Sequence, residues 1–227
     1  LYAAAILGVD TVTGASDPYT HTITSAGTTG HWGTWWQAVG SAVGPEKEVY
    51  YDSKIAKLQV SSTFADKVVR GVLDIQALKA ARVYTTAPAK TEDTSDPYYH
   101  TEATGSFVVD SLTIREVTES MLDVDTQMKP LWGDDIAPLQ LIEGKGLITR
   151  SMKTIVTDDT LDKFQLAVYN SASPSAGDDP SATVFYANMT QTYTRSATRT
   201  ATITTPNVAI DHTAKNTTKK ATPSATF

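Results

Sequence analysis

Two histidines stand in a phrase that the sequence writes twice, and matched histidines are the first residues to consider for metal binding. The segment SDPYTHT begins at Ser16 and SDPYYHT begins at Ser95, so His21 and His100 occupy equivalent positions. A metal site needs further ligands at fixed spacing, and the chain has neither a His-x-x-His spacing nor any cysteine. Because Asp-Pro-Tyr is typical of turns, we expect both histidines to hydrogen-bond a turn.

Adjacent aspartates are the second candidates, since carboxylates bind calcium and act in glycoside hydrolysis. None of the pairs lies in a complete calcium loop, and each adjoins Gly, Pro or Thr, which favours turn and cap roles. The separation that glycoside hydrolysis requires is spatial, so the sequence selects no catalytic pair. The pairs are Asp134 with Asp135, Asp158 with Asp159, and Asp178 with Asp179.

Other signatures of catalysis are missing from the sequence. It contains no Gly-x-Ser-x-Gly nucleophile elbow and no glycine-rich loop that would cradle a phosphate. The net charge of −6 opposes tight DNA binding, which depends on neutralising phosphates. No apolar run reaches the length of a membrane span. These residues therefore point to no particular enzymatic chemistry, cofactor or metal site.

Tryptophan is concentrated in one segment, HWGTWWQAV, which spans residues 31–39 and contains Trp32, Trp35 and Trp36. A row of exposed tryptophans on a β-sandwich stacks on sugars, whereas buried ones belong to a core or a subunit interface. We favour the core or the interface.

The elements that would position these residues are strands. Thirty-six residues are threonine, which favours strands. Apolar and polar residues alternate over residues 53–64 and 67–80, which predicts two half-buried strands joined as a hairpin. Residues 105–117 and 145–156 are each predicted to form one further strand.

The most regular alternation covers residues 188–205 and predicts either one very long strand or a tight hairpin. Every even position from 190 to 204 is serine or threonine, so hydroxyl groups share one face. The threonines selected as a candidate functional face are Thr190, Thr192, Thr194, Thr198, Thr200 and Thr202.

One helix is predicted over residues 159–170, where Asp158 and Asp159 are cap candidates and Leu161, Phe164 and Val168 follow at helical spacing. Residues 211–227 lack an apolar pattern and are predicted to form a polar C-terminal arm. The chain is thus predicted to be all-β with one helix, a β-sandwich or partial barrel over residues 1–210. The repeated SDPY phrase suggests two related β-halves.

Several segments in order resemble the tail tube proteins (major tail proteins) of long-tailed, non-contractile phages. LYAAAILGVDTVTGASDPYTHTIT resembles the family's opening, and YYDSKIAKLQVSSTFADKVVRGVLDIQALKA resembles its first long hairpin. SDPYYHTEATGSFVVDSLTIREVTESM resembles the start of its second half. GKGLITRSMKTIVTDDTLDKFQLAVYN resembles its late strand and outer helix. The resemblance covers roughly residues 1–205.

The resemblance implies a structural virion protein of the phage tail. Such proteins form hexameric rings that stack into a tube, contact other tail proteins, and let viral DNA pass during ejection without specific binding and without a membrane. It also implies that an early loop reaches the next ring, which places inter-ring contacts at Gly40, Gly44, Pro45 and Glu46. The hydroxyl face at 190–204 then either lines the lumen or pairs with a neighbouring subunit.

Four basic residues on strand faces depart from a DNA-repelling lining, and a second function class stays open. The basic residues are Lys57, Arg70, Arg195 and Arg199.

The alternative function is that of a secreted β-sandwich that binds carbohydrate or acts as an adhesin through the tryptophans of residues 31–39. Such a module would be monomeric, whereas a tube protein self-assembles.

Overall fold

The computed structural model describes the greater part of the chain. The described residues are 6–14, 20–25, 31–39, 46–83, 96–103, 107–110, 112–115, 117–155, 161, 165, 169, 171, 173–175, 185–210 and 224–226. Of these residues, 72% lie in strands and no helix reaches seven residues, so the all-β prediction is confirmed. Most of the helix predicted at 159–170 lies outside the described residues. Its three described members, Leu161, Gln165 and Tyr169, have helical conformation.

Fourteen strands are formed by the described residues, with a short 3-10 helix at His100–Ala103 between the fifth and the sixth. The strands are β1 Gly8–Thr13, β2 Thr20–Ser25, β3 Gly33–Val39, β4 Glu46–Thr63, β5 Arg70–Val83, β6 Phe107–Val109, β7 Leu112–Ile114, β8 Val117–Asp125, β9 Lys129–Trp132, β10 Pro138–Ile142, β11 Leu147–Ile155, β12 Phe185–Ser196, β13 Arg199–Ile210 and β14 Ser224–Thr226.

The chain divides into two compact units that interleave along the sequence. Unit 1 comprises Leu1–Gln59, Gly71–Ser95 and Asp123–Ile148. Unit 2 comprises Val60–Arg70, Asp96–Leu122 and Thr149–Phe227. Each unit draws on three stretches of chain, so the units are not consecutive halves of the sequence.

Unit 1 is built from antiparallel pairs. β1 pairs with β2, β9 pairs with β10, and β3 pairs with β4 in a register that sets Val39 opposite Glu46. β5 pairs with β4 and with no other described strand. A small apolar cluster of Ala56, Met128 and Leu141, with Leu78 against it, holds the foot of the β9–β10 hairpin.

Unit 2 contains the larger core. A four-stranded sheet has the order β13-β12-β6-β7, and β14 pairs with β11 as an edge strand. Inward side chains of these strands form one buried apolar cluster around Phe107, Ile114, Met152 and Met189. Ile210, the last residue of β13, is 6% exposed and closes this cluster.

The two hairpins expected from alternation are present. β4 and β5 are joined by a turn in which the amide of Lys67 donates to Thr63 O at 3.0 Å. Phe64 was expected to face inward but is 65% exposed, because β4 ends at Thr63 and Phe64 belongs to the turn. β12 and β13 form the second hairpin, so the tight-hairpin alternative for residues 188–205 is correct.

The single strand predicted over 105–117 is wrong, because the segment turns back on itself. β6 pairs with β7 so that Val109 lies opposite Leu112, and β8 begins only at Val117. Asp110 adopts a left-handed backbone with φ of 53°, which aspartate tolerates better than most residues. Its carboxylate accepts the amide of Asn188 at 2.9 Å, and its amide donates to Asn188 O at 2.7 Å.

Candidate functional site

The two histidines of the repeated phrase have different surroundings. His21 lies exposed on β2, where Nδ1 is 3.0 Å from the Asp10 carboxylate on β1. His100 begins the 3-10 helix and is 2% exposed. Its Nδ1 lies 3.0 Å from Ser62 Oγ and its Nε2 lies 2.9 Å from Val117 O. The matched positions therefore do not form a shared site in the described residues.

Ser62 and His100 have the spacing of a nucleophile and its base, but their burial assigns them a structural role. A carbonyl oxygen only accepts, so the ring must donate from Nε2 to Val117 O. Nδ1 is then an acceptor, and the Ser62 hydroxyl donates to it. Ser62 is 1% exposed, so no substrate reaches this oxygen.

The Ser62–His100 pair is one end of a buried polar network in unit 2. Tyr193 Oη lies 2.9 Å from Ser62 Oγ, and the Gln191 side-chain amide donates to the tyrosine oxygen. The Gln191 carbonyl oxygen accepts from Ser120 Oγ at 2.7 Å and from the Arg150 guanidinium. The Gln191 side chain thus links the Arg150 guanidinium to the Tyr193 hydroxyl.

Arg150 is the member of this network whose burial lowers the stability of the fold. It is 7% exposed, no described carboxylate pairs with it, and its Nη1 atom has no hydrogen-bond partner. Burial lowers the pKa of Arg150 from its usual range to about 10. Burial also raises the pKa of the Tyr193 hydroxyl, which therefore stays neutral.

Replacing Arg150 by methionine is expected to raise the free energy of unfolding at pH 7 by about 1–3 kcal/mol, because an apolar side chain avoids the cost of burying a charge. The pKa of Arg150 is lower in the folded state than in the unfolded state, so stability rises with pH above about 10. The gain from Arg150→Met should therefore shrink above pH 10. Urea denaturation at pH 7 and above pH 10 measures this. A loss of more than about 1 kcal/mol at pH 7 would show that Arg150 stabilises the fold.

The second copy of the repeated phrase contacts the β12–β13 hairpin. Arg195 donates to the Asp96 carboxylate at 2.6 Å and to Pro97 O at 2.5 Å, and its guanidinium lies over the Tyr99 ring. Tyr98 packs against Tyr193, with ring centroids 6.2 Å apart. Asp-Pro-Tyr-Tyr-His therefore fastens the hairpin in unit 2.

Each of the four basic residues on strand faces contacts an oxygen of its own chain, and for three of them this oxygen belongs to a carboxylate. Lys57 is 2.8 Å from Asp123, and the hydrogen bond to that carboxylate raises the pKa of Lys57. Arg70 lies 3.9 Å from Asp66, and Arg199 Nη2 lies 3.5 Å from Asp96 O. With Arg195 paired to Asp96, each cation faces an oxygen of its own chain.

The hydroxyl face lies on the outer side of the β12–β13 hairpin. Thr192 is opposite Thr202 with Oγ1 atoms 3.2 Å apart, while the alternate residues Gln191 and Tyr193 point into the core. Thr194 and Thr200 form the next pair toward the turn. The hairpin thus presents a ladder of neutral hydroxyl groups, with Thr190 and Thr204 at its base and Thr198 exposed in the turn.

The expected inter-ring loop falls largely outside the described residues, as do Gly40, Gly44 and Pro45. Glu46 begins β4 opposite Val39 of β3, so the two strands flank this loop. Of the aspartate pairs, Asp134 and Asp135 lie between β9 and β10, and the other two pairs are not described. The described residues contain no cluster of three or more His, Asp or Glu side chains arranged for a metal.

The tryptophan segment forms one wall of an open groove in unit 1. Trp35 and Trp36 on β3 line it with Tyr50 on β4 and with Ile75 and Lys79 on β5, enclosing about 540 Å³. Trp36 is 38% exposed and Trp32 is 50% exposed. The Tyr50 hydroxyl donates to the Glu48 carboxylate at 2.7 Å, and this hydrogen bond raises the pKa of Tyr50.

The β9–β10 hairpin is the feature that sequence reasoning missed. Its tip exposes several large apolar side chains. The sequence KPLWGDDIAPLQLI at residues 129–142 could have indicated this hairpin, because two aspartates interrupt a run of apolar residues. The exposed residues are Leu131, Trp132, Ile136, Leu139 and Ile142.

No protein-family model matches the chain, and no curated protein matches it. In the part of the chain that the structure describes, there is no helix with the length and apolar character to cross a membrane.

Proposed function

We propose that the chain is a structural subunit that self-assembles into a tube, as the resemblance to phage tail tube proteins implies. The observation that carries this proposal is one edge of β5, which no described strand covers. This strand has fourteen residues and pairs with β4 alone among the described strands. A long unpaired edge is an aggregation hazard unless another chain covers it, and a neighbouring subunit of a ring would do so.

The surface chemistry supports a conduit for DNA. The hydroxyl ladder of β12 and β13 is neutral, and water satisfies such groups easily. The four basic residues on strand faces each contact an oxygen of the same chain. The net charge of the chain is −6. Few free cations then remain on these strands to hold phosphates. Stacked hexameric rings in a virion tail, contacting other tail proteins, are the assembly we propose.

The mass of the chain in solution tests this function. Sedimentation at rising concentration should give a species of six chains of 24.4 kDa each, followed by larger multiples. A monomer at every concentration would contradict the proposal and favour the rival below.

Replacing Thr192, Thr198 and Thr202 together by lysine tests the role of the hydroxyl face. If this face lines the lumen, the tubes persist and retain duplex DNA in a salt-sensitive way, because each added cation binds phosphate. If the face pairs with a neighbour, the tubes fail to form. Wild-type protein should retain no duplex DNA even at low salt, and tight binding with a steep salt slope would contradict the conduit.

A matched control adds three lysines at a different place on the chain. Lysine substitutions at three exposed threonines of the β1–β2 hairpin add the same charge to another hairpin, at Thr11, Thr22 and Thr24. Equal DNA retention by this control would show that added charge alone is responsible.

The groove favours one rival function, glycan binding by a monomeric module. Aromatic walls from Trp35, Trp36 and Tyr50 beside the side chains of Gln37 and Lys79 are typical of sugar sites. Titration with oligosaccharides would then change tryptophan fluorescence in a chain that stays monomeric.

A further inference from the structure

The tip of the β9–β10 hairpin is a large exposed apolar surface in unit 1. Ile136 is 96% exposed, Leu139 is 64% exposed and Trp132 is 57% exposed. Soluble proteins rarely leave clustered large apolar side chains in water unless they bind something. This cluster, with Asp134 and Asp135 beside it, is called the hairpin tip.

The hairpin tip is held by a rigid foot. Leu141 of β10 is 4% exposed and packs with Ala56 and Met128, so the strands do not need the tip for their own core. At the tip, Leu139 lies so close to Gly133 that a Cβ there would meet Leu139 Cδ1 at 2.6 Å. The tip is therefore a compact knob on an anchored stem.

The groove of unit 1 has the complementary chemistry. Its walls are mostly apolar, and Lys79 is the one charged residue among those that line it. Lys79 forms no salt bridge with a described residue, and neither do Asp134 and Asp135 at the tip. A volume of about 540 Å³ accommodates about three large side chains.

We propose that the hairpin tip of one copy of this chain docks in the groove of a second copy. The apolar side chains Trp132, Ile136 and Leu139 enter between the tryptophans and Ile75, and the two aspartates face Lys79. Glu48 does not line the groove, and its carboxylate already accepts the hydroxyl of the groove residue Tyr50.

The contact is directional, because the tip and the groove are different surfaces of the same chain. Each copy then offers one tip and one groove, so the contact repeats from copy to copy and builds a ring or a filament. This inference rests on the proposed function, since it names a surface through which the subunits associate.

Charge reversal in the full 227-residue chain tests the docking. Sedimentation equilibrium should show a fall of at least about tenfold in the association constant for Asp134→Lys with Asp135→Lys, and again for Lys79→Glu, because each opposes like charges. An equal mixture of the two variants should recover association, since every contact between unlike copies is again complementary.

Two further variants test the apolar contact of the hairpin tip independently of folding. Ile136→Ser alters a side chain that the folded subunit does not bury, so circular dichroism should stay unchanged while association falls about tenfold or more. Val12→Ser is the control, because Val12 is also exposed, at 51%, but lies on β1. Its association constant should equal that of the wild type.

The outcomes distinguish this inference from the function on which it rests. A wild-type chain that stays monomeric would contradict both. Self-association that none of the tip and groove variants changes would overturn the docking and leave the tube proposal standing. An oligosaccharide that changes tryptophan fluorescence without affecting self-association would assign the groove to a glycan and also overturn the docking.

Discussion

Replacing Gln191 by leucine is expected to lower the free energy of unfolding by about 3–5 kcal/mol, the range observed when one partner of a buried charge is removed. The Gln191 carbonyl oxygen accepts from Arg150 and Ser120, and its amide donates to Tyr193. Gln191 is 2% exposed, so no water replaces these bonds. The substitution leaves a buried guanidinium with no described acceptor.

A double variant shows whether the charge is the cause. In Gln191→Leu with Arg150→Met, the buried cation is gone, and more than half of the lost stability should return. Thr194→Val on the same strand is the control and should change stability by less than about 0.5 kcal/mol, because Thr194 is exposed. Urea denaturation measures all four chains. A loss below about 1 kcal/mol for Gln191→Leu would contradict the account of the network.

Replacing Glu143 by leucine is expected to lower the free energy of unfolding by about 3 kcal/mol. Lys54 is 4% exposed and its ammonium lies 2.5 Å from the Glu143 carboxylate. Among the described residues, only the face of the Trp32 ring, 4.5 Å away, would still stabilise the Lys54 ammonium after the substitution. The double variant Lys54→Met with Glu143→Leu should return close to wild type.

An exposed ion pair provides the comparison for Glu143. Lys153 and Glu119 are 2.8 Å apart, but both side chains are about half exposed. Glu119→Leu should therefore cost less than about 1 kcal/mol in the same denaturation experiment. Equal losses for Glu119→Leu and Glu143→Leu would show that burial does not decide the strength of the Lys54 pair.

Alternation along the chain predicted those strands that have one buried face. From Met189 to Tyr193 every second residue of β12 is buried, and the alternating threonines at 190, 192 and 194 are more exposed, as the sequence pattern required. The same rule failed at 105–117, because a tight turn can form at Asp110 without glycine or proline. Alternation reports which face is buried and does not report where a strand reverses.

The polar network and the hairpin tip could not be derived from local pattern. Ser62 and Tyr193 are 131 positions apart, and Ser120 and Gln191 are 71 apart, so only the folded chain brings them together. Gln191 did carry a signal, since it is a polar residue on the inward face between Met189 and Tyr193. At the tip, apolar composition alone favours burial, and the exposure of these side chains depends on what the subunit contacts in its assembly.

Electron microscopy of the concentrated, purified chain tests the central claim most directly. The account predicts hollow tubes made of stacked rings, because a β5 edge that no described strand covers and a directional tip-and-groove contact both propagate from copy to copy. Isolated particles of single-chain size at every concentration would contradict it.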